Sequence, residues 1–210
     1  MSLSRRRPWW AARLVVVVLT VAVALTGCGN DGRELRQPSA QQTTTTRPPS
    51  SDTIATAAPA PALQLTSQAF AEGGAIPDAY TCRGDDRSPS LVWSGVSEGT
   101  AELAVVVRDR DANGFVHWVV AGLSPQLGAL AEDTVPDGAV EATNDFGALG
   151  WGGPCPDSGT HHYEFRLYAL AQASGVTSGE AGAEAAARIE GAPSLASAAL
   201  SGTFSAPPAG

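Results

Sequence analysis

From Leu63 onward, apolar positions fall in short runs broken by Gly and Pro. That rhythm favours strands over long helices. The runs predict strands over Leu63–Ser67, Ser90–Trp93, Ala101–Arg108, Val116–Leu123, His162–Leu170 and Ala198–Phe204. Leu103–Val107 and Trp118–Val120 are nearly continuous hydrophobics, as expected of strands covered on both faces. His162–Leu170 alternates instead, with Tyr163, Phe165 and Leu167 set against Glu164 and Arg166, which gives it one apolar and one more polar face. One helix is expected over Glu180–Glu190, with Ser178 as candidate N-cap, acids in its first turns, and Gly191 and Pro193 to end it. The predicted class is mainly β with one or two short helices, in one domain over residues 63–207.

The chain ahead of that domain has a different pattern. Arg5, Arg6, Arg7 and Arg13 precede the apolar run Leu14–Leu25. Twelve residues of helix span roughly 18 Å, short of the ~30 Å hydrocarbon core, so the run reads as a signal-peptide core rather than a permanent span. It is followed by Leu25-Thr26-Gly27-Cys28, small residues before a Cys, which looks like a bacterial lipobox. The expectation is a lipoprotein signal peptide over residues 1–27 and a diacylglyceryl acceptor at Cys28. The alternative is a plain secretory signal with an incidental Cys. Residues 28–62 are rich in Gln, Thr, Ser, Pro and Ala and show no hydrophobic period, as expected of a disordered tether. The mature protein is then expected outside the cytoplasmic membrane of a bacterial cell, anchored by lipid.

Charge narrows the classes of function. Of 210 residues, 13 are Arg, none is Lys and 21 are Asp or Glu, giving a formal net charge of −8. Beyond the first 13 residues, nine Arg face all 21 acids. An acidic chain of this kind does not grip nucleic acid by bulk charge. The absence of Lys removes Schiff-base chemistry and a Walker-type phosphate loop. Three Cys are too few for a disulfide-dense scaffold and lack the spacing of a structural zinc site. No metal or cofactor is expected.

Three local motifs fail on context. Asp109–Gly114 opens like an EF-hand loop, but Val120 stands where a bidentate Glu is needed. Gly95-Val96-Ser97-Glu98-Gly99 matches a nucleophile elbow, yet a strand pattern follows it where a helix is required. Gly152-Gly153-Pro154 has no helix after it to receive a pyrophosphate.

A dispersed constellation survives. Asp109 and Asp111 follow one predicted strand, His117 enters the next, and Gly153-Pro154-Cys155-Pro156 leads to His161-His162-Tyr163 at the start of another. Carboxylates, imidazoles and loop N–H groups at strand ends suit a small anion pocket, because a His beside a carboxylate holds its proton more strongly. Spacing alone leaves ordinary core or surface histidines as the alternative.

The same residues carry a resemblance. Tyr80-Thr81-Cys82-Arg83-Gly84, Ser88–Gly95, Asp109-Arg110-Asp111-Ala112, His117-Trp118, Asn144-Asp145-Phe146-Gly147, Gly153–Pro156 and His161-His162-Tyr163 occur in the order and spacing of the phosphatidylethanolamine-binding protein family. The stretch resembles its bacterial, Raf-kinase-inhibitor-like branch. The resemblance implies a large antiparallel sheet packed against a smaller one, and a pocket for phosphate or a phospho-headgroup. It implies ligand contacts from Asp109, Asp111, His117, Gly153, Cys155, Pro156, His161 and Tyr163. The His rings would donate to the oxyanion, Asp109 would orient a His, and the Gly153–Pro156 turn would offer N–H groups. Two departures stand out: Arg110 and Asn113 replace prolines usual in the family, which predicts a solvent-facing Arg110 and a looser loop. His162, where Arg is common, should point away from the pocket. Cys82 and Cys155 both lie beside pocket motifs in an oxidising compartment and are expected to pair, the alternative being two buried thiols.

These features read as a binding protein for a small anionic or phosphorylated ligand. Two alternatives remain: an interaction or inhibitor module with a protein partner in the envelope and a vestigial pocket, and a weak acid–base hydrolase built on Asp109 with His117 or His161. The hydrolase lacks any evident activated nucleophile.

Overall fold

The computed structural model describes residues 62–207. The expected signal peptide, Cys28 and the expected tether lie outside the described residues. Strands β1 (Gln64–Ser67), β3 (Leu91–Ser94) and β6 (Ala129–Leu130) form a three-stranded antiparallel sheet in the order β1-β3-β6. The larger sheet has six strands, in the order β2-β9-β8-β4-β5-β7. Its members are β2 (Gly74–Ala75), β4 (Glu102–Asp109), β5 (Val116–Leu123), β7 (Val140–Glu141), β8 (Thr160–Leu170) and β9 (Ser194–Ser205). It is antiparallel except at one edge, where β2 pairs parallel to β9.

The two faces of β4 and β5 explain their unbroken hydrophobicity. Leu103, Val105, Val107, Trp118 and Val120 face the small sheet and pack with Leu65, Leu91 and Trp93. Ala104, Val106, Val119 and Ala121 face the other way and pack beneath helix α1 (Gly182–Gly191) through Ala185, Ala186 and Ile189. A strand buried on both faces has no polar side to show. β8 keeps its alternation: Tyr163, Phe165 and Leu167 are buried, while Glu164 and Arg166 pair with each other on the opposite face. Each large side chain taken from water here contributes roughly 1.5–3 kcal/mol.

Helix α1 begins two residues later than expected, and Ser178 is not its cap. Ala181 occupies the N-cap position without a side-chain hydrogen bond. The segment before it is held extended against Thr143, whose N–H donates to the Glu180 carbonyl (2.8 Å) and whose carbonyl accepts from Gly182 N–H (2.7 Å). The first orphan donor of the helix is thereby satisfied by a neighbouring chain, not by a cap side chain. The Gly95–Gly99 segment is a turn between β3 and β4, with both glycines at positive φ, and no nucleophile elbow forms.

Candidate functional site

Three neighbouring strands bring the polar residues together. Register pairs Asp109, the last residue of β4, with Tyr163 of β8. His161 lies two residues before Tyr163 on the same face, and His117 enters β5 next to β4. These side chains open on a cavity of about 240 Å³, lined also by Ala112, Phe115, Phe146, Cys155, Pro156 and Asp157.

Asp109 is 4% exposed and fully engaged. Its Oδ1 accepts the N–H groups of Asp111 (2.8 Å) and Ala112 (3.2 Å), closing the turn after β4. Its Oδ2 lies 2.6 Å from His161 Nδ1. A carboxylate accepts, so Nδ1 carries the proton and the Nε2 of His161 is left for the cavity. Asp109 therefore orients His161, as expected.

His117 is held differently. Its Nδ1 lies 2.6 Å from the Gly152 carbonyl oxygen, which can only accept. Nδ1 is thus protonated, and in the neutral ring Nε2 is a bare acceptor. Burial keeps the imidazole's pKa below its ordinary value, against the pull of Asp109, Asp145 and Asp86. Phe115, Phe146 and Tyr163 surround the ring at centroid distances of 5.1, 5.4 and 5.1 Å. His117 can therefore donate to an oxyanion through Nε2 only as the imidazolium; the neutral ring presents an acceptor there.

Tyr163 is 1% exposed, and its buried hydroxyl lies near the Asp109 carboxylate without a well-formed hydrogen bond to any protein atom. Burial and the nearby Asp109 charge raise its pKa, so the group stays an O–H. An orphaned buried donor of this kind costs roughly 1–3 kcal/mol unless something supplies an acceptor.

The turn that carries Cys155 does less than expected as an anion cradle. Gly152 N–H donates to the His117 carbonyl (3.0 Å), Gly153 N–H to Asp86 Oδ1 (2.8 Å), and Pro154 and Pro156 have none to offer. Cys155 contributes its side to the cavity wall. Gly153 lines a neighbouring cavity instead. Its lack of a side chain is a packing need, since a Cβ would stand 2.4 Å from the Tyr80 carbonyl oxygen. Cys155 and Pro156 do line the site, and Cys155 is bonded to Cys82 across 73 residues, as expected.

Asp111 is the other correction. It is not among the residues lining the cavity. Its Oδ2 accepts from His162 N–H (2.7 Å) and sits 2.9 Å from His162 Nδ1. His162 points away from the pocket, as strand alternation demands, and Asp111 follows it. Arg110 faces solvent with its side chain 56% exposed, near Glu164. Without those prolines the loop still closes on itself. Asn113 (φ 54°) and Gly114 (φ 74°) form the centre of a tight turn closed by Phe115 N–H to the Ala112 carbonyl (3.1 Å). Proline cannot adopt the φ found at Asn113.

Phe115 and Phe146 are site residues that sequence reasoning left without a role. Asn144 positions Phe146: its buried Oδ1 accepts from Phe146 N–H (3.0 Å) and Ala148 N–H (3.1 Å), and its Nδ2 donates to the Gly150 carbonyl (2.9 Å). The signal was the Asn144–Gly147 motif itself. Among the described residues, no group of three or more His, Cys, Asp or Glu is gathered to hold a metal ion.

Known proteins share this sequence pattern and this fold. The pattern of the phosphatidylethanolamine-binding protein family matches residues 66–205. The chain is 40% identical over 198 residues to a Mycobacterium tuberculosis protein named "Putative lipoprotein LppC", covering 91% of this chain and 94% of that one. The crystal structure of Escherichia coli YbcL, described as a new member of the mammalian PEBP family, superposes with a TM-score of 0.66 at 33% identity, covering 70% of this chain and 100% of YbcL. A PEBP homologue from Chlamydia trachomatis, CT736, gives a TM-score of 0.63 at 35% identity, over 70% of this chain and 99% of that one. The two-sheet fold, the ordered motifs and these matches agree, and the chain belongs to the phosphatidylethanolamine-binding protein family.

Proposed function

We propose that the protein is a lipid-anchored, extracytoplasmic binder of a small anionic or phosphorylated ligand, held in the cavity between Asp109, His117, His161 and Tyr163. The observation that carries this reading is a cavity lined by Asp109, His117, His161 and Tyr163 in which both imidazoles have their Nδ1 atoms fixed within the protein. The Nε2 edges of His117 and His161 and the unpaired Tyr163 hydroxyl are the groups left for a ligand. The anchor is supported by the charged start, the short apolar run and Cys28, and by the lipoprotein name of a relative matched well beyond the domain. The Cys82–Cys155 bond suits an oxidising compartment.

The test is calorimetric titration of the purified full-length chain, in detergent, with inorganic phosphate and phosphoethanolamine, beside Tyr163→Phe and His117→Ala. Saturable heat that both substitutions weaken supports the reading. Heat unchanged in both variants sinks it. Cys28→Ser should move the protein out of the membrane fraction, and a Cys28→Ser protein that stays there refutes the anchor.

A second reading has one observation in its favour. Phe146, which lines the cavity, and Leu149, three residues further on, are 54% and 59% exposed. Such exposed apolar side chains suit a protein partner. Capture of a stoichiometric envelope protein by wild type and by His117→Ala alike, but not by Leu149→Asp, would favour it.

A further inference from the structure

We infer that this cavity selects an oxyanion that still carries a proton, such as a phosphate monoester monoanion with its P–OH, and that His117 makes the selection. The inference rests on the anion-binding reading above and names the ligand's chemical class.

Two independent observations converge on it. The first is hydrogen-bond direction. The Gly152 carbonyl fixes the His117 proton on Nδ1, so the ring turns a lone pair at Nε2 toward whatever enters. Burial, and the apolar rings of Phe115 and Phe146, oppose a second proton on that ring. An acceptor facing an unprotonated oxyanion oxygen sets lone pair against lone pair. The same acceptor facing P–OH makes a hydrogen bond.

The second is charge. Among the described residues, no arginine lines the cavity, and its lining includes the carboxylates of Asp109 and Asp157. Residues 62–207 hold six Arg against eighteen Asp and Glu. Asp86 and Asp145 add negative potential at His117. A dianion meets this field at greater cost than a monoanion. The Tyr163 O–H, the donor left unpaired within the protein, is neutral. Together they describe a site with few donors, an acceptor fixed at His117, a second imidazole edge at His161 and a negative surround, complementary to a singly charged anion that donates once and accepts elsewhere.

The two observations separate experimentally. Methyl phosphate, dimethyl phosphate and sulfate are titrated into the full-length chain at pH 6, where a phosphate monoester holds its second proton about half the time. Sulfate lacks both the proton and the low charge. Dimethyl phosphate has the low charge but no proton. Methyl phosphate is expected to bind best, with both others weaker by about tenfold or more, the usual scale for an unmatched buried polar group. His117→Gln places an amide that can donate near the Nε2 position, and it should narrow the methyl phosphate to sulfate ratio to within about threefold, with thermal melting confirming that the variant is folded. Dimethyl phosphate binding as well as methyl phosphate overturns the inference, because charge alone then selects. So does a folded His117→Gln that keeps the full ratio. If all three ligands bind equally, the anion-binding reading stands and this inference falls. If none binds, both fall.

Discussion

The interior between the two sheets and the polar end of the same strands solve opposite problems. Between the sheets, Leu103, Val105, Val107, Trp118, Val120, Phe165 and Leu167 are held by shape, and each contact is replaceable by another of similar volume. A few residues along the same strands, Asp109, His117 and Tyr163 are just as buried, but Asp109 is held by three directed hydrogen bonds, the His117 ring by one, and the Tyr163 hydroxyl by none. The difference separates two uses of burial. The apolar interior spends its burial on stability, whereas the polar end leaves a buried hydroxyl and one edge of an imidazole unpaired within the protein.

The comparison can be broken by substitution. Phe165→Ala removes a ring packed on Phe70 and Trp151 at the centre of the interior. It should cost about 4 kcal/mol of unfolding free energy in denaturant titrations. A loss below 1 kcal/mol would mean that the interior collapses to fill the gap. Replacing Cys82 and Cys155 together by Ser opens a covalent loop spanning 73 residues and should cost about 3 to 4 kcal/mol in the chain-entropy model. An unchanged denaturation midpoint would show that the bond is dispensable to the fold.

Asn144→Ala strips three hydrogen bonds from a buried side chain and should cost about 2 kcal/mol, while weakening anion binding through Phe146. Full retention of affinity would separate the loop from the site. Tyr163→Phe sharpens the contrast most. Removing an unpaired buried hydroxyl should leave stability within about 1 kcal/mol of wild type or raise it, while phosphate affinity falls about tenfold. A large loss of stability would show that the hydroxyl is structural after all.

The smallest effect is on pH dependence. Folding lowers the His117 pKa below its ordinary value of 6.5. The unfolded chain therefore takes up the proton first as pH falls. The contribution of this group to stability is complete above pH 6.5 and is lost on acidification toward the folded pKa. Melting temperatures measured from pH 7.5 to 5 should fall less steeply in His117→Gln than in wild type. Parallel curves would assign the slope to other groups.

Legibility in the sequence followed the range of the interactions. Alternation in β8 and the unbroken runs in β4 and β5 are local patterns, so the central strands and their faces were readable. The N-terminal half of β9 was not. Ser194–Ser197 carry little apolar weight and are ordered by their pairing with β8. At the site, Asp109, His117, His161 and Tyr163 were readable as residue types at strand ends. Their directions were not. Asp111 was grouped with the pocket because it neighbours Asp109, yet a partner 51 residues away draws it out. Gly153 was read as a donor to a ligand, but its N–H is taken by Asp86, 67 residues earlier. Which end of an imidazole carries the proton depends on a carbonyl from another loop, and no motif encodes it.

Cys155 is at once a wall of the cavity and half of the chain's covalent link to Cys82. The binding site therefore has a history as well as a geometry. A newly made chain, still reduced, holds the Gly153–Pro156 turn by hydrogen bonds and packing alone. Once oxidised, it holds the same turn by a bond to the segment beside Tyr80 and Thr81. A preparation made under reducing conditions therefore loses this covalent hold on the cavity wall, and reoxidation restores it.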